Sequence, residues 1–360
     1  MPKKTKVTTR DIAKKCQLSQ TAVSMILSGR EDIRFKQETI DKVLHTATAM
    51  GYVYKKRSPK PVDSLNKTIL IMCPSLSTEY YTTLVRSITK SAAAKGLYTM
   101  TTYTMREKKS EEAFLQTAQN SGFYGVIYTY APQAVDMINQ LRHTLQFVLI
   151  NDYNEKLRVP LIELDSKKSG KLIGEHLISL GHKHIAYMST PLDPLELPRR
   201  RRLEGLKEAF IEASLDPDQV EVAALTQEQW DYYLLGNRYY DAGYQLITQY
   251  MKRPEHPATA FVGTNDQISF GIMDGLQKMG FSIPGDYSVC GFDNTLAASF
   301  ERISLTSIDH SIEDKGDAAI RMLQNSHASR KNPEDRKSAL LRLEYEPELM
   351  IRSSTGPCPG

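Results

Sequence analysis

The residues of this chain best suited to recognition chemistry fall into two groups. Near the N-terminus, Gln20, Thr21, Ser24 and Met25 alternate with apolar Val23, Ile26 and Leu27. Helical spacing puts the apolar three inward and leaves an amide, two hydroxyls and a thioether on the outer face of a short helix. Much later, Asp152, Arg202, Asn265, Asp266 and Asp293 stand just after strand-like runs or at the starts of helical stretches. Asp and Arg there can make bidentate hydrogen bonds to vicinal hydroxyls, which suits a polar small ligand. Asp266 reads equally as a helix cap, and Arg202 as a solvated member of the run Arg199–Arg202. His176, His182 and His184 lack a carboxylate or cysteine completing a standard ligand set, so no metal is expected. GxSxG, Walker A and dinucleotide fingerprints are absent, so neither cofactor nor enzymatic activity is expected.

The N-terminal group needs a scaffold, and the sequence supplies one. Thr8 with Asp11 three residues on opens a helix as a capping box, and Ile12, Ala13 and Cys16 give it one small apolar face. Ser19 caps a second helix, which Gly29 ends. Phe35, Ile40, Val43, Leu44, Ala47 and Met50 mark a third helix, closed by Gly51. Two short helices joined by a tight turn are what a major-groove reader requires. Thr8, Ser19, Ser28 and Arg30 are phosphate candidates, and capping by Thr8 and Ser19 is compatible with that role. A generic three-helix bundle is the alternative, but charge favours DNA. Residues 1–60 carry 14 Lys and Arg against 5 Asp and Glu, a net +9, whereas the remaining 300 carry −5.

Residues 55–67, KKRSPKPVDSLNK, read as a linker. Beyond it, apolar runs at 68–73, 97–103, 125–129 and 147–150 alternate with helical stretches at 80–95 and 110–120. The alternation restarts with a helix at 166–180, a strand at 184–188, a helix at 199–214, strands at 259–262 and 287–291, and a helix at 268–279 between them. Two doubly wound parallel-sheet units are expected, with the carboxyl ends of their strands facing a cleft. Trp230, Tyr232, Tyr233, Tyr239 and Tyr240 form an aromatic-rich segment that fits a surface cluster, dimer packing or a sugar platform. Cys16, Cys73, Cys290 and Cys358 are too scattered for a metal site and are expected as free thiols. No run is long enough to span a membrane and no apolar signal core is present, so a cytoplasmic protein is expected.

Several motifs in order resemble the lactose-repressor (LacI/GalR) family of bacterial transcription factors. They are the head with its AVS and TIDKVLHTATAMGY segments, Gly181–Ala186 (GHKHIA), Arg202–Gly205 (RLEG), Thr264–Gly271 (TNDQISFG), Ile283–Asp293 (IPGDYSVCGFD), Leu305–Ile308 (LTSI) and a terminal strand near Leu349–Ser354. The resemblance implies a helix-turn-helix head on a periplasmic-binding-protein-like core whose chain crosses between lobes three times. It places Gln20 and Thr21 against base edges, where Gln pairs with adenine and Thr or Met25 meets a thymine methyl. It also places Tyr80 and Tyr81 beside the ligand. Domain bounds follow as 1–54 for the head, 55–67 for the hinge, 68–352 for the core and 353–360 for a tail. Within the core, the N-lobe takes about 68–164 and 295–325, the C-lobe about 165–292 and 338–352.

Three departures stand out. Met25 replaces a common arginine. Pro59 and Pro61 fall where the family forms a hinge helix with a minor-groove leucine, leaving Leu65 as the displaced candidate lever. Ser304 replaces the proline before the LTT-like segment, which is expected to loosen a crossover. The implied function is a repressor acting as a homodimer on an imperfectly palindromic operator, controlled by a small effector of carbohydrate type. The alternatives are a small-molecule-binding protein with a non-functional head and a carbohydrate-active enzyme.

Overall fold

The computed structural model describes residues 7–27, 35–50, 52, 65–76, 78–150, 156–192, 197–235, 238–331 and 340–360. Ser28, Arg30, Pro59, Pro61 and Asp152 lie outside them. The chain divides into two units, 1–64 and 65–360.

Among its described residues the first unit holds three helices, α1 (Thr9–Cys16), α2 (Gln20–Leu27) and α3 (Gln37–Ala49). Ile12, Cys16, Val23, Val43 and Ala47 are buried together, with Phe35, Ile40, Leu44 and Met50 packed around them. Gln17 takes a left-handed φ of 57°, which turns the chain sharply between α1 and α2.

The second unit holds two six-stranded sheets. One contains β1 (Thr68–Cys73), β2 (Tyr98–Tyr103), β3 (Gly125–Tyr128), β4 (Phe147–Ile150), β5 (Leu161–Leu164) and β11 (Arg342–Tyr345). Their order is β11-β5-β4-β3-β1-β2, and every pairing is parallel. Helices α4 (Glu79–Ala94), α5 (Lys108–Ser121), α6 (Val135–Leu141) and α12 (Ile312–Lys331) belong to this N-lobe. The other sheet contains β6 (Ile185–Ser189), β7 (Val220–Ala224), β8 (Ala260–Gly263), β9 (Ser288–Phe292), β10 (Thr306–Asp309) and β12 (Glu348–Met350), in the order β12-β10-β9-β8-β6-β7. Only β12 runs antiparallel to its neighbour. Helices α7 (Ser166–Ser179), α8 (Leu197–Glu212), α9 (Gln227–Leu235), α10 (Tyr239–Tyr250) and α11 (Asp266–Lys278) complete the C-lobe. Central strands buried on both faces explain the continuous apolar runs, since helices cover each side of a parallel sheet.

The chain passes between sheets after β5, after β10 and after β11. The lobe bounds at the C-terminal end therefore need correction. Residues 306–309 belong to the C-lobe, because β10 pairs with β9 from Thr306 opposite Cys290. Helix α12 does return to the N-lobe, where Ala318, Ile320 and Leu323 enter its core and Ser87 Oγ donates to the Glu313 carbonyl at 2.5 Å. Strand β11 is an N-lobe edge strand beside β5, not part of the C-lobe. Its alternating exposure suits any sheet edge, so its pattern could not name its sheet.

Ser304 does not loosen a crossover. It lies inside the C-lobe at φ 46°, a value closed to proline, and its carbonyl accepts from Ser354 N at 3.0 Å. The terminal segment is no loose tail either. Ser354 is buried, with its carbonyl accepting from Val289 N at 2.8 Å and its hydroxyl donating to the Val289 carbonyl at 2.6 Å. Among the described residues no helix is long and apolar enough to cross a membrane.

Candidate DNA interface and ligand cleft

The head presents its polar residues because local hydrogen bonds fix both helix starts. Thr8 N donates to Asp11 Oδ2 at 2.9 Å and Asp11 N donates to Thr8 Oγ1 at 3.4 Å, which closes the capping box. The bonds from Thr8 hold the Asp11 carboxyl below its ordinary range. Ser19 Oγ accepts from Ala22 N at 3.1 Å and so caps α2. Gln20, Thr21 and Ser24 are exposed on α2, while Met25 is half-buried. Gln20 Nε2 donates to Thr9 Oγ1 at 3.3 Å, so α1 steadies the outermost amide of α2.

Leu65 stands elsewhere. It begins a single 3₁₀ turn, Leu65–Lys67, packs half-buried against the N-lobe core, and its carbonyl accepts from Tyr124 N at 3.1 Å. Its side chain is thus packed partly against the N-lobe core rather than standing free.

Between the lobes lies a cleft lined by residues of both sheets' connecting segments. Tyr80, Tyr81, Arg202, Asn265 and Asp293 line it. On the N-lobe wall Tyr80 and Tyr81 meet edge to face, with centroids 5.1 Å apart. Arg106, which follows β2, donates to Tyr81 Oη at 3.1 Å and lies 5.5 Å over the Tyr130 ring. The Tyr130 hydroxyl donates to the buried Glu111 carboxylate at 2.8 Å. Glu111 also accepts from Gln133 N at 2.9 Å and Ala134 N at 2.8 Å, which pins the loop after β3. Burial raises its pKa, against the pull of those donors.

On the C-lobe wall, Arg202 is buried on α8. Its guanidinium lies 4.4 Å over the Phe292 ring, bonds the Thr264 carbonyl, and reaches His310 Nε2 at 3.4 Å. His310 sits at the chain passage after β10, so Arg202 touches both the cleft and a crossing segment. Burial and the neighbouring Arg202 push His310 well below its ordinary pKa, towards the neutral ring. Asp293 follows β9 at φ 124°, a strained backbone that sets its carboxyl at the cleft wall. Its pKa lies well above the ordinary value, chiefly through burial, against the pull of Arg202. Asn265 lines the cleft and caps α11 by accepting from Ile268 N at 2.9 Å.

Two motif glycines are explained by this wall. A Cβ at Gly205 would stand 1.8 Å from the Lys167 carbonyl oxygen, so only glycine lets α8 lie against α7 and place Arg202. A Cβ at Gly271 would stand 2.0 Å from the Tyr240 carbonyl oxygen, and α11 meets α10 in the same way.

Asp266 is the exception among the acidic residues. It does not line the cleft. Fully buried, it accepts from Thr295 N at 2.8 Å, Thr295 Oγ1 at 2.9 Å and Ser307 Oγ at 2.6 Å. Burial pushes its pKa up to about 6, and no ligand contact is open to it. The cap of α11 is Asn265 instead. The aromatic segment divides too: Trp230 and Tyr239 are buried edge to face, 4.9 Å apart, with Tyr239 at the cleft, whereas Tyr232 and Tyr240 are exposed.

Sequence reasoning missed Arg106, Tyr130, Glu111 and Arg199. The run Arg199–Arg202 was a signal for the last. For the others no local pattern existed, since each depends on a loop after a strand.

Among the described residues three buried donors at the cleft find no partner: Arg202 Nε, Thr78 Oγ1 and Thr264 Oγ1. Unsatisfied buried polar groups converging on one space are what a polar ligand would satisfy. His182 does no such work. Its ring is buried among Thr259 Oγ1 at 2.8 Å, Ser288 Oγ at 3.0 Å and the Gly356 carbonyl at 3.1 Å, tying the terminal segment down. Among the described residues no group of three or more His, Cys, Asp or Glu could hold a metal ion, and the four cysteines are free.

Comparison with known proteins agrees with this architecture. The family model of the periplasmic binding protein-like domain matches residues 175–355. Catabolite control protein A of Priestia megaterium is 25% identical over 350 residues, covering 97% of this chain and 99% of its own. The arabinose metabolism transcriptional repressor of Geobacillus stearothermophilus is 26% identical over 384 residues, covering 96% and 98%. A ribose-bound LacI family transcriptional regulator from Enterococcus faecium superposes with a TM-score of 0.68 at 24% identity, over 81% of this chain and 99% of its own. A helix-turn-helix head joined to a periplasmic-binding-protein-like core of two parallel-sheet lobes places the chain in the LacI/GalR family of transcriptional regulators.

Proposed function

We propose that the protein is a ligand-responsive transcriptional repressor that reads an imperfectly palindromic operator as a homodimer. Gln20, Thr21, Ser24 and Met25 approach base edges, while Thr8 and Ser19 serve phosphates beside their capping roles. One short recognition helix reads only a half-site, so two heads are required. A small effector, a sugar or sugar derivative, sits between the lobes and changes their angle. The spacing of the two heads changes with it. The observation that carries this reading is the union in one chain of a capped, polar-faced recognition helix and a cleft with unsatisfied buried donors. Relatives named as an arabinose metabolism repressor and as a ribose-bound regulator support the sugar class.

Selection of bound sequences from random DNA with the full-length protein tests the proposal. A palindromic consensus should emerge, and affinity should fall steeply with salt, about −0.9 in log–log slope for each phosphate contacted. Thr21→Ala should relax base preference at one position of each half-site. A protein that selects no consensus, yet binds sugars, would instead be a small-molecule-binding protein with an inactive head.

A further inference from the structure

We infer that helix α12 carries the state of the cleft to the point where the chain enters the core from the head. This rests on the effector-binding reading above and goes beyond it by naming the route. The route begins at Arg202, which lines the cleft and reaches His310 Nε2 at 3.4 Å. His310 is buried, and burial favours its neutral ring, whose bare nitrogen accepts from the guanidinium. Among the described residues its ring has no other hydrogen-bond partner. A ligand that draws the guanidinium to itself therefore releases His310. The joint from His310 to α12 is stiff. Ser311 takes a left-handed φ of 51°, its amide donates to Asp309 Oδ1 at 2.6 Å, and its carbonyl accepts from Lys315 N at 3.2 Å. Motion at His310 thus passes to the first turn of α12 instead of being absorbed by a loop.

Helix α12 is long enough to cross the lobe, its 20 residues spanning about 30 Å. Along the way it is held to α4, the helix that presents Tyr80 and Tyr81 to the cleft. Ser87 Oγ donates to the Glu313 carbonyl, and Ser91 Oγ donates to Asp317 Oδ1 at 2.7 Å. A Cβ at Gly316 would stand 2.2 Å from Ser87 Oγ, so glycine lets the two helices approach closely. At the far end Leu323 fills the space beside Gly125, where a Cβ would stand 2.7 Å from its Cδ1. The His327 ring stacks on Tyr124, centroids 3.8 Å apart, and its Nε2 donates to the Tyr124 carbonyl. Tyr124 N in turn donates to the carbonyls of Leu65 at 3.1 Å and Thr68 at 2.8 Å. Leu65 is the first residue of the second unit, and the head lies in the unit before it. Closely packed helices have discrete seats rather than a continuum of them. One end of α12 meets a residue for which the ligand competes, and the other braces the turn to which the head is tethered.

Amide hydrogen exchange of the full-length protein, read by mass spectrometry, tests the route without any ligand. His310→Leu removes the acceptor for Arg202. Exchange across residues 65–68 and 122–126 should rise about fivefold, while β4 keeps its protection. His310→Gln restores an acceptor and should reverse most of that rise. Coupling is reciprocal, so His327→Ala, at a half-buried position, should speed exchange of the Lys315 amide by a similar factor. The double variant His310→Leu, His327→Ala should exchange at 122–126 as His327→Ala does alone. Should His310→Leu fail to fold, the effect of His327→Ala at Lys315 decides by itself. If each substitution alters only its own end of α12, or if protection falls equally in every strand, the inference is overturned. Neither measurement uses effector or operator, so its failure leaves the repressor reading standing, and operator selection tests that reading on its own.

Discussion

Each lobe buries one carboxylate to fasten the loop that shapes its side of the cleft, yet the two do it in different contexts. In the N-lobe, Glu111 reaches from the first turn of α5 to two backbone amides and the Tyr130 hydroxyl, and Tyr130 is itself cleft wall. In the C-lobe, Asp266 reaches from the start of α11 to Thr295 and Ser307 and stays wholly behind the wall. The N-lobe brace thus touches the ligand space through one tyrosine, whereas the C-lobe brace supports Asp293 and Asn265 without entering it. A buried acid beside a cleft is therefore not by itself a ligand group; what matters is whether its lone pairs are already taken.

The sharpest way to break this comparison is Asp266→Ala. It strands the Thr295 amide and the Ser307 hydroxyl in a dry interior and should cost about 3 kcal/mol in urea unfolding. A loss below about 1 kcal/mol would mean that the C-lobe brace is dispensable. Gly205→Ala should cost about 2 kcal/mol through the forced separation of α7 and α8. Because Arg202 moves with α8, effector affinity should fall alongside stability, which an unrelated core defect would not produce.

Protonation sharpens the contrast further. The folded pKa of Asp266, about 6, lies above its ordinary 3.8. The native state therefore holds this proton more tightly than the unfolded chain, and this group's contribution to stability falls as pH climbs from about 4 to about 6. Asp266→Asn keeps acceptor and shape and should remove that slope. The difference between variant and wild-type profiles isolates it from Asp293, which acts in the same direction, and from the lowered histidines His176, His182 and His310, which act in the opposite one. Identical profiles would show that Asp266 is ionised throughout. The smallest effect belongs to the N-lobe. Tyr130→Phe removes one of three donors to Glu111 and should cost about 1 kcal/mol, while changing ligand affinity as Asp266→Asn does not.

Much of this molecule was legible as a string of residues. The capping box of Thr8 and Asp11 and the cap by Ser19 act over three residues, so their partners are fixed by chain distance alone. The same holds for the apolar faces of α1 to α3 and for the buried runs of β1, β6 and β9, because periodicity is a local property. The motifs also marked Arg202, Asn265 and Asp293 at the cleft: Asn265 and Asp293 each follow a strand closely, and Arg202 lies in the second turn of α8. Tertiary structure alone decided the rest. Residues 306–309 and 342–345 joined the sheets they did because strand partners lie 16 to more than 170 residues away in sequence. Asp266 turned inward because Thr295 and Ser307 claimed its oxygens, and Leu65 was drawn into the N-lobe core. Arg106, Tyr130 and Glu111 became one wall only when β1, β2 and β3 paired side by side and brought their loops together. Pairing across long loops is governed by the collective burial of whole strands, and no window of neighbouring residues contains that information.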